Sequence, residues 1–128
     1  MLFRSARRVD IMQDLQAIGV ILLAMDVTDE ASMIAGINQL LSAENRIDVL
    51  VNNAGYGSFG ALEDVPLSEA KYQFDVNVFG LARLTQLVLP TMRQQGSGRI
   101  INISSLGGKF GEPLGAWYHQ PSVYNVCT

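Results

Sequence analysis

The 128-residue sequence is poor in the residues that cross-link chains or hold metals. Its one cysteine, Cys127, excludes an internal disulfide and a multi-cysteine metal centre. Its one histidine, His119, falls far short of a metal-binding constellation. Charged residues make up only 16 % of the chain, and the formal net charge is −3. That balance excludes a broad basic face for nucleic acid, since the sole basic cluster is Arg4, Arg7 and Arg8. No apolar run approaches the roughly 20 residues that span a bilayer, so no membrane contact is expected. Residues 1–8 are basic but lack the apolar core and cleavage site of a secretory signal. The cytoplasm is the default compartment.

What is present is a 48 % apolar chain whose short apolar runs alternate with helical stretches. That pattern predicts one α/β domain over residues 1–128, with a parallel sheet and helices on its faces. Val20–Met25 reads as a buried strand ended by Asp26. Thr28-Asp-Glu30 caps a helix bearing Met33, Ile34, Ile37, Leu40 and Leu41 at helical spacing. Ile47–Val51 and Arg99–Ser104 read as two further strands, separated by a long helix that opens at Pro66 and carries Pro90 near its end. Leu2 and Phe3 end an earlier strand, which feeds a helix from about Asp10 to Gly19.

Polar residues gather at the carboxyl ends of these strands, the edge at which open α/β sheets bind ligands. Asp26 follows one strand and can accept a hydrogen bond from an exocyclic amine, or cap the next helix. Asn52-Asn-Ala-Gly55 follows another; its small residues admit a flat ligand, and its amides can pin neighbouring strands or form an Asx turn. Asn77 stands inside an apolar helix, where an amide needs its hydrogen bonds met. Ser105 and Tyr118 lie thirteen residues apart beyond the last strand, a hydroxyl and a phenol able to bind and protonate a carbonyl.

Met25-Asp-Val-Thr-Asp-Glu30, Leu50-Val-Asn-Asn-Ala-Gly55, Asp75-Val-Asn-Val-Phe-Gly80, Arg99-Ile-Ile-Asn-Ile-Ser-Ser105 and Trp117-Tyr118 together resemble the short-chain dehydrogenases/reductases. The resemblance runs almost to residue 119. It implies a Rossmann-like three-layer parallel sheet and hydride transfer between NAD(P) and a small-molecule carbonyl or alcohol. It places Asp26 against adenine with Val27 beside it, and Asn52, Ala54 and Gly55 along the cofactor. Asn77 would anchor a proton-relay water, Ser105 would polarise the substrate oxygen, and Tyr118 would serve as acid/base. Arg7 and Arg8 fall where an acid would bind the ribose of NAD, so NADP is expected before NAD.

The sequence departs from that family twice. It contains no glycine-rich strand-to-helix turn ahead of the Leu2–Phe3 strand, and position 122, where the family has lysine, holds Ser. A phenol ionises reluctantly near neutrality, and a neighbouring ammonium eases this. The domain is therefore expected to be incomplete, lacking the first strand with its turn and the C-terminal elements. With the family's strand order, 3-2-1-4-5, the second strand could close on the fourth, but a loose fragment prone to aggregation is the expectation. Activity of the chain by itself is expected to be impaired. The alternative is a non-catalytic fragment that acts by joining a full-length partner. A homo-oligomer through the helix of residues 67–94 is also open.

Overall fold

The computed structural model describes residues 1–120. Four short strands alternate with helices: β1 (Phe3–Ala6), a 3-10 helix (Asp10–Ile18), β2 (Ile21–Ala24), α1 (Glu30–Glu44), β3 (Val49–Asn52), α2 (Leu67–Phe74), a π-helical turn (Asp75–Gly80), α3 (Leu81–Gln95), β4 (Arg99–Asn102) and a 3-10 turn (Leu106–Gly108). Residues 116–120 are helical again. This is an incomplete Rossmann-like arrangement, as expected.

The strands form two parallel pairs, β1 with β2 and β3 with β4. Among the described residues no ladder joins β1 to β3, so closure of one pair on the other does not occur. The helical layer sets their places: α1 contacts β2, α3 contacts β3, and α1 and α3 pack together. Met25, Met33, Ile37, Ile47, Leu84, Val88 and Met92 form the buried cluster under this layer, with Leu50 and Ile100 packed against it.

Alternation along a strand sends neighbouring side chains to opposite faces. Leu50 and Ile100 turn to the helices, whereas Val49, Val51 and Ile101 remain 51 %, 53 % and 38 % exposed on the other face. The β3–β4 pair is thus covered on one side and bare on the other.

Local chemistry sets the element ends. Asp29 caps α1 by accepting from the N–H groups of Ala31 at 2.9 Å and Ser32 at 3.4 Å. α3 continues past Pro90 to Gln95 and stops at Gly96, which takes the left-handed conformation at φ 68°. The Gln95 amide accepts from Ile47 N–H and donates to Ile47 C=O, at 2.8 and 2.9 Å, and so pins the approach to β3. The first helix is 3-10 rather than α over nine residues, longer than such runs usually are. None of its residues is buried, so no packing face selects α geometry. No helix among the described residues is long and apolar enough to cross a membrane.

Candidate active site

A cavity of about 180 Å³ opens at the carboxyl ends of β3 and β4, lined by Asn53, Ala54, Gly55, Tyr56, Gly57, Asn77, Ile103, Ser104, Ser105 and Tyr118. Ser105 is extended, and its Oγ accepts the Gly107 N–H at 3.2 Å, which starts the turn Leu106–Gly108. That bond uses the oxygen as acceptor and leaves the hydroxyl proton for another partner.

Two glycines make space for the Tyr118 ring. A methyl at Gly57 would lie 2.9 Å from it, and one at Gly107 would lie 3.0 Å from it. Phe59 packs nearby, with ring centroids 5.3 Å apart. The next residue, His119, staples the loop between Ser105 and Tyr118. Its Nε2 accepts the Glu112 N–H at 2.8 Å, which leaves the proton on Nδ1 to be donated to Gly107 C=O at 2.9 Å.

Asn77 lies in the π-helical turn, and its amide clips one residue twice. Oδ1 accepts from Tyr56 N–H at 3.1 Å and Nδ2 donates to Tyr56 C=O at 2.8 Å. The amide's need for partners, legible in the sequence, is met by the segment that follows Asn52-Asn-Ala-Gly55. Gln73, which no motif singles out, does related work one helical turn earlier. It is 0 % exposed, accepts from Ser58 N–H and donates to Trp117 C=O, both at 2.6 Å.

Asn52 lies behind the cavity rather than on its wall. Its Nδ2 donates to Asn102 Oδ1 at 2.9 Å and Thr85 Oγ1 at 3.2 Å, tying β3 to β4 and α3. Arg7, Arg8, Asp26 and Val27 also lie outside the cavity lining. Asp26 Oδ1 accepts from the N–H and hydroxyl of Thr28, at 2.9 and 2.7 Å. Burial pushes the Asp26 carboxyl up, but those two bonds and the Arg7 guanidinium outweigh it and hold the group below the usual aspartate range.

Arg7 reaches across to α2, where Nη1 donates to Tyr72 Oη at 2.7 Å. Tyr72 in turn lies 5.9 Å, centroid to centroid, from Tyr56, whose hydroxyl donates to Glu69 at 3.1 Å. Burial, and after it the Glu69 carboxylate, pushes the Tyr56 phenol up to about 12. Val27 presses on the π-helical turn: a methyl at Gly80 would sit 2.5 Å from its carbonyl oxygen. Arg8 is exposed, and Ser122, the expected lysine position, lies outside the described residues.

The family model for short chain dehydrogenase matches residues 2–120. The chain belongs to the short-chain dehydrogenase family. It is 43 % identical over 97 residues to 3-ketodihydrosphingosine reductase of Bacteroides thetaiotaomicron, across 76 % of this chain and 36 % of that protein. A short-chain dehydrogenase from Streptomyces avermitilis superposes with a TM-score of 0.89 at 37 % identity, over 94 % of this chain and 46 % of that one. A metagenomic short-chain oxidoreductase solved with NADP does so with a TM-score of 0.86 at 33 % identity, over 94 % and 57 %. This short-chain dehydrogenase chain thus spans little more than a third of that reductase.

Members of the family bind NAD(P), and one end of such a cofactor fits the residues present. Ala54, Gly55 and Gly57 present nearly bare backbone to the cavity, and a side chain at Gly57 would strike the Tyr118 ring. That wall admits a flat group beside the Tyr118 ring. Among the described residues no short glycine-rich turn joins a strand to a helix N-terminus, so none supplies a pyrophosphate cradle of that kind. No group of three or more potential metal ligands occurs among the described residues either.

Proposed function

We propose that this chain is part of an oxidoreductase that uses NADP in preference to NAD and acts on a small-molecule carbonyl or secondary alcohol. The observation that carries this reading is the common cavity of Ser105, Tyr118 and Asn77 against the Ala54–Gly57 backbone. Bound NADPH would supply the hydride in reduction, and bound NADP+ would accept it in oxidation. Ser105 would donate its hydroxyl proton as a hydrogen bond to the substrate oxygen. Tyr118 would give that oxygen its proton in reduction and take it back in oxidation. Asn77, through Tyr56, would hold the small-residue wall at its distance from the phenol.

The preference for NADP rests on the Arg7-Arg8 pair and on the absence of an acid between residues 5 and 8. Arg7 would exchange its bond to Tyr72 for one to the 2′-phosphate. We expect weak activity from this chain alone, because position 122 holds Ser rather than a residue with an ammonium, and among the described residues no phosphate cradle accompanies the site. A homo-oligomer through residues 67–94 belongs to the same reading, supported by Leu67 and Phe79, which are 59 % and 61 % exposed.

The test is a fluorescence titration with NADPH and with NADH, followed by turnover on a panel of aldehydes and ketones. Saturable binding, tighter for NADPH, and turnover that Tyr118→Phe removes without altering binding are the expected results. Absence of saturable binding for both nucleotides would overturn the proposal and leave a non-catalytic role.

A further inference from the structure

Gln73 is a polar side chain with no exposed surface, and its placement is not explained by apolar packing. A buried amide is tolerated only when its donors and acceptors are met. Here they are met by backbone groups from two distant segments. Ser58 N–H, fifteen residues away, donates to Oε1; Nε2 donates to Trp117 C=O, forty-four residues away. The first segment continues the small-residue wall of the cavity. The second immediately precedes Tyr118 in the helix that carries the phenol.

We propose that Gln73 is a positioning residue for Tyr118, fixing the helix of the phenol against the 54–58 wall. The inference rests on the functional reading above, in which Tyr118 moves the substrate proton. Gln73 and Asn77 are four residues apart and so share a face of the continuous helix. Asn77 clamps Tyr56 and Gln73 clamps Ser58, so one rigid element sets two points of the wall. Gln73 also reaches the helix of Tyr118, through Trp117 C=O. An apolar residue of similar volume could fill the space but would leave the Ser58 N–H and the Trp117 C=O without this partner. The hydrogen bonds therefore set a distance that packing alone leaves loose.

Gln73→Met keeps the length of the side chain and removes both bonds. Displacement of a reacting group by about 1 Å costs up to ~100-fold in rate, so kcat should fall ~10- to 100-fold while the NADPH dissociation constant stays within about threefold. Trp117 is the only tryptophan, so its fluorescence reports the clip directly. Acrylamide quenching should rise about twofold or more in the variant, with far-ultraviolet dichroism unchanged, because freeing Trp117 C=O loosens that helix end.

Unchanged kcat and quenching would overturn the proposal. So would a parallel loss of kcat and NADPH affinity, which marks general loosening rather than positioning. If Gln73→Met does not fold, hydrogen exchange in the wild-type chain decides: a Ser58 amide that exchanges as fast as an exposed one refutes the clip. Wild-type protein without NADPH-dependent turnover would instead sink the functional reading, and Trp117 quenching would still show whether the clip exists.

Discussion

Replacing Gly80 by alanine should destabilise the chain, whereas replacing Gly36 should not. Both glycines lie within helical segments, where alanine gains about 1 kcal/mol from backbone propensity. Their surroundings decide the sign. A methyl at Gly80 would lie 2.5 Å from the Val27 carbonyl oxygen, 2.9 Å from Val27 Cβ and 3.1 Å from the Asp75 carbonyl oxygen. The two oxygens and the branch point of a stiff side chain cannot swing away, so the π-helical turn must retreat from the segment after β2. Overpacking of this sort costs about 1–3 kcal/mol, and contact with backbone puts the cost near the upper end, for a net loss of about 2 kcal/mol. At Gly36 the methyl would meet first the terminal methyl of Met25, the free end of a flexible side chain that can repack. That substitution should fall between neutral and about 1 kcal/mol stabilising. The two variants should therefore differ by about 2–3 kcal/mol, or roughly 10 °C in melting midpoint for a chain of this size. Urea and thermal denaturation followed by circular dichroism measure it. A Gly80→Ala chain as stable as Gly36→Ala would refute the claim that backbone contact at Val27 fixes the turn bearing Asn77.

Other outcomes follow from single contacts. The Tyr56 phenol, raised in the fold to about 12, contributes stability in full below the ordinary phenol range near ~10, and that stability is lost as pH rises through about 12. Denaturation midpoints should drop across that window, less so in Tyr56→Phe; a Tyr56 phenolate forming near ~10 with the fold intact contradicts this. Tyr72→Phe removes the phenolic acceptor of Arg7 and should tighten NADPH binding by roughly two- to fivefold, the scale of an exposed hydrogen bond to a charge, with no change for NADH; weaker NADPH binding would show that Tyr72 orients Arg7 for the phosphate. Val51→Thr, on the bare sheet face, should slow aggregation in light-scattering assays while moving the melting midpoint by less than about 2 °C; a large drop would mean that this face is covered.

Much of the fold is legible in the sequence because it depends on local order. The three later apolar runs and the Thr28–Glu30 cap are read from neighbouring residues and recur in the structure within a residue or two, whereas the first strand, expected to end at Phe3, runs from Phe3 to Ala6. Ser105, Ala54 and Gly55 meet because each follows a strand and parallel strands bring their carboxyl ends together, whereas Tyr118 reaches the cavity from the helix of residues 116–120. The π-helical turn is not legible: its residues continue the apolar spacing of the helix, and its departure is forced by Asn77 bonding Tyr56 and by Val27 pressing on Gly80. Arg7 bonding Tyr72, sixty-five residues away, and Gln73 bonding Trp117 are long-range pairs of a kind that no local pattern encodes. Asn52 shows a subtler limit. Its motif marks the right strand end, but the alternation of the strand turns this amide inward to Asn102 and Thr85 while Asn53, Ala54 and Gly55 face the cavity.

The cavity residues and the Arg7–Asp26 pair of the proposal rest on unequal foundations. Ala54, Gly55 and Ser105 follow β3 and β4, whose inner face is seated on Leu84, Val88 and Met92 of α3, and amide clips from the preceding helix hold the wall beside Tyr118. Arg7 and Asp26 follow β1 and β2. No residue of β1 is buried, nor any of the 3-10 helix that joins the two strands. The Ser105–Tyr118 cavity is therefore seated on the buried cluster, which Asp26 adjoins through Met25, whereas Arg7 follows a strand with no buried residue. Binding energy from the remote part of a ligand is what draws it into place for reaction. A chain with these foundations should lose cofactor affinity well before it loses the geometry of its proton-transfer groups. Its weakness should then appear in KM for NADPH in addition to the kcat deficit expected from the missing ammonium, and a partner strand or helix that firms the β1–β2 pair would restore the first with little effect on the second.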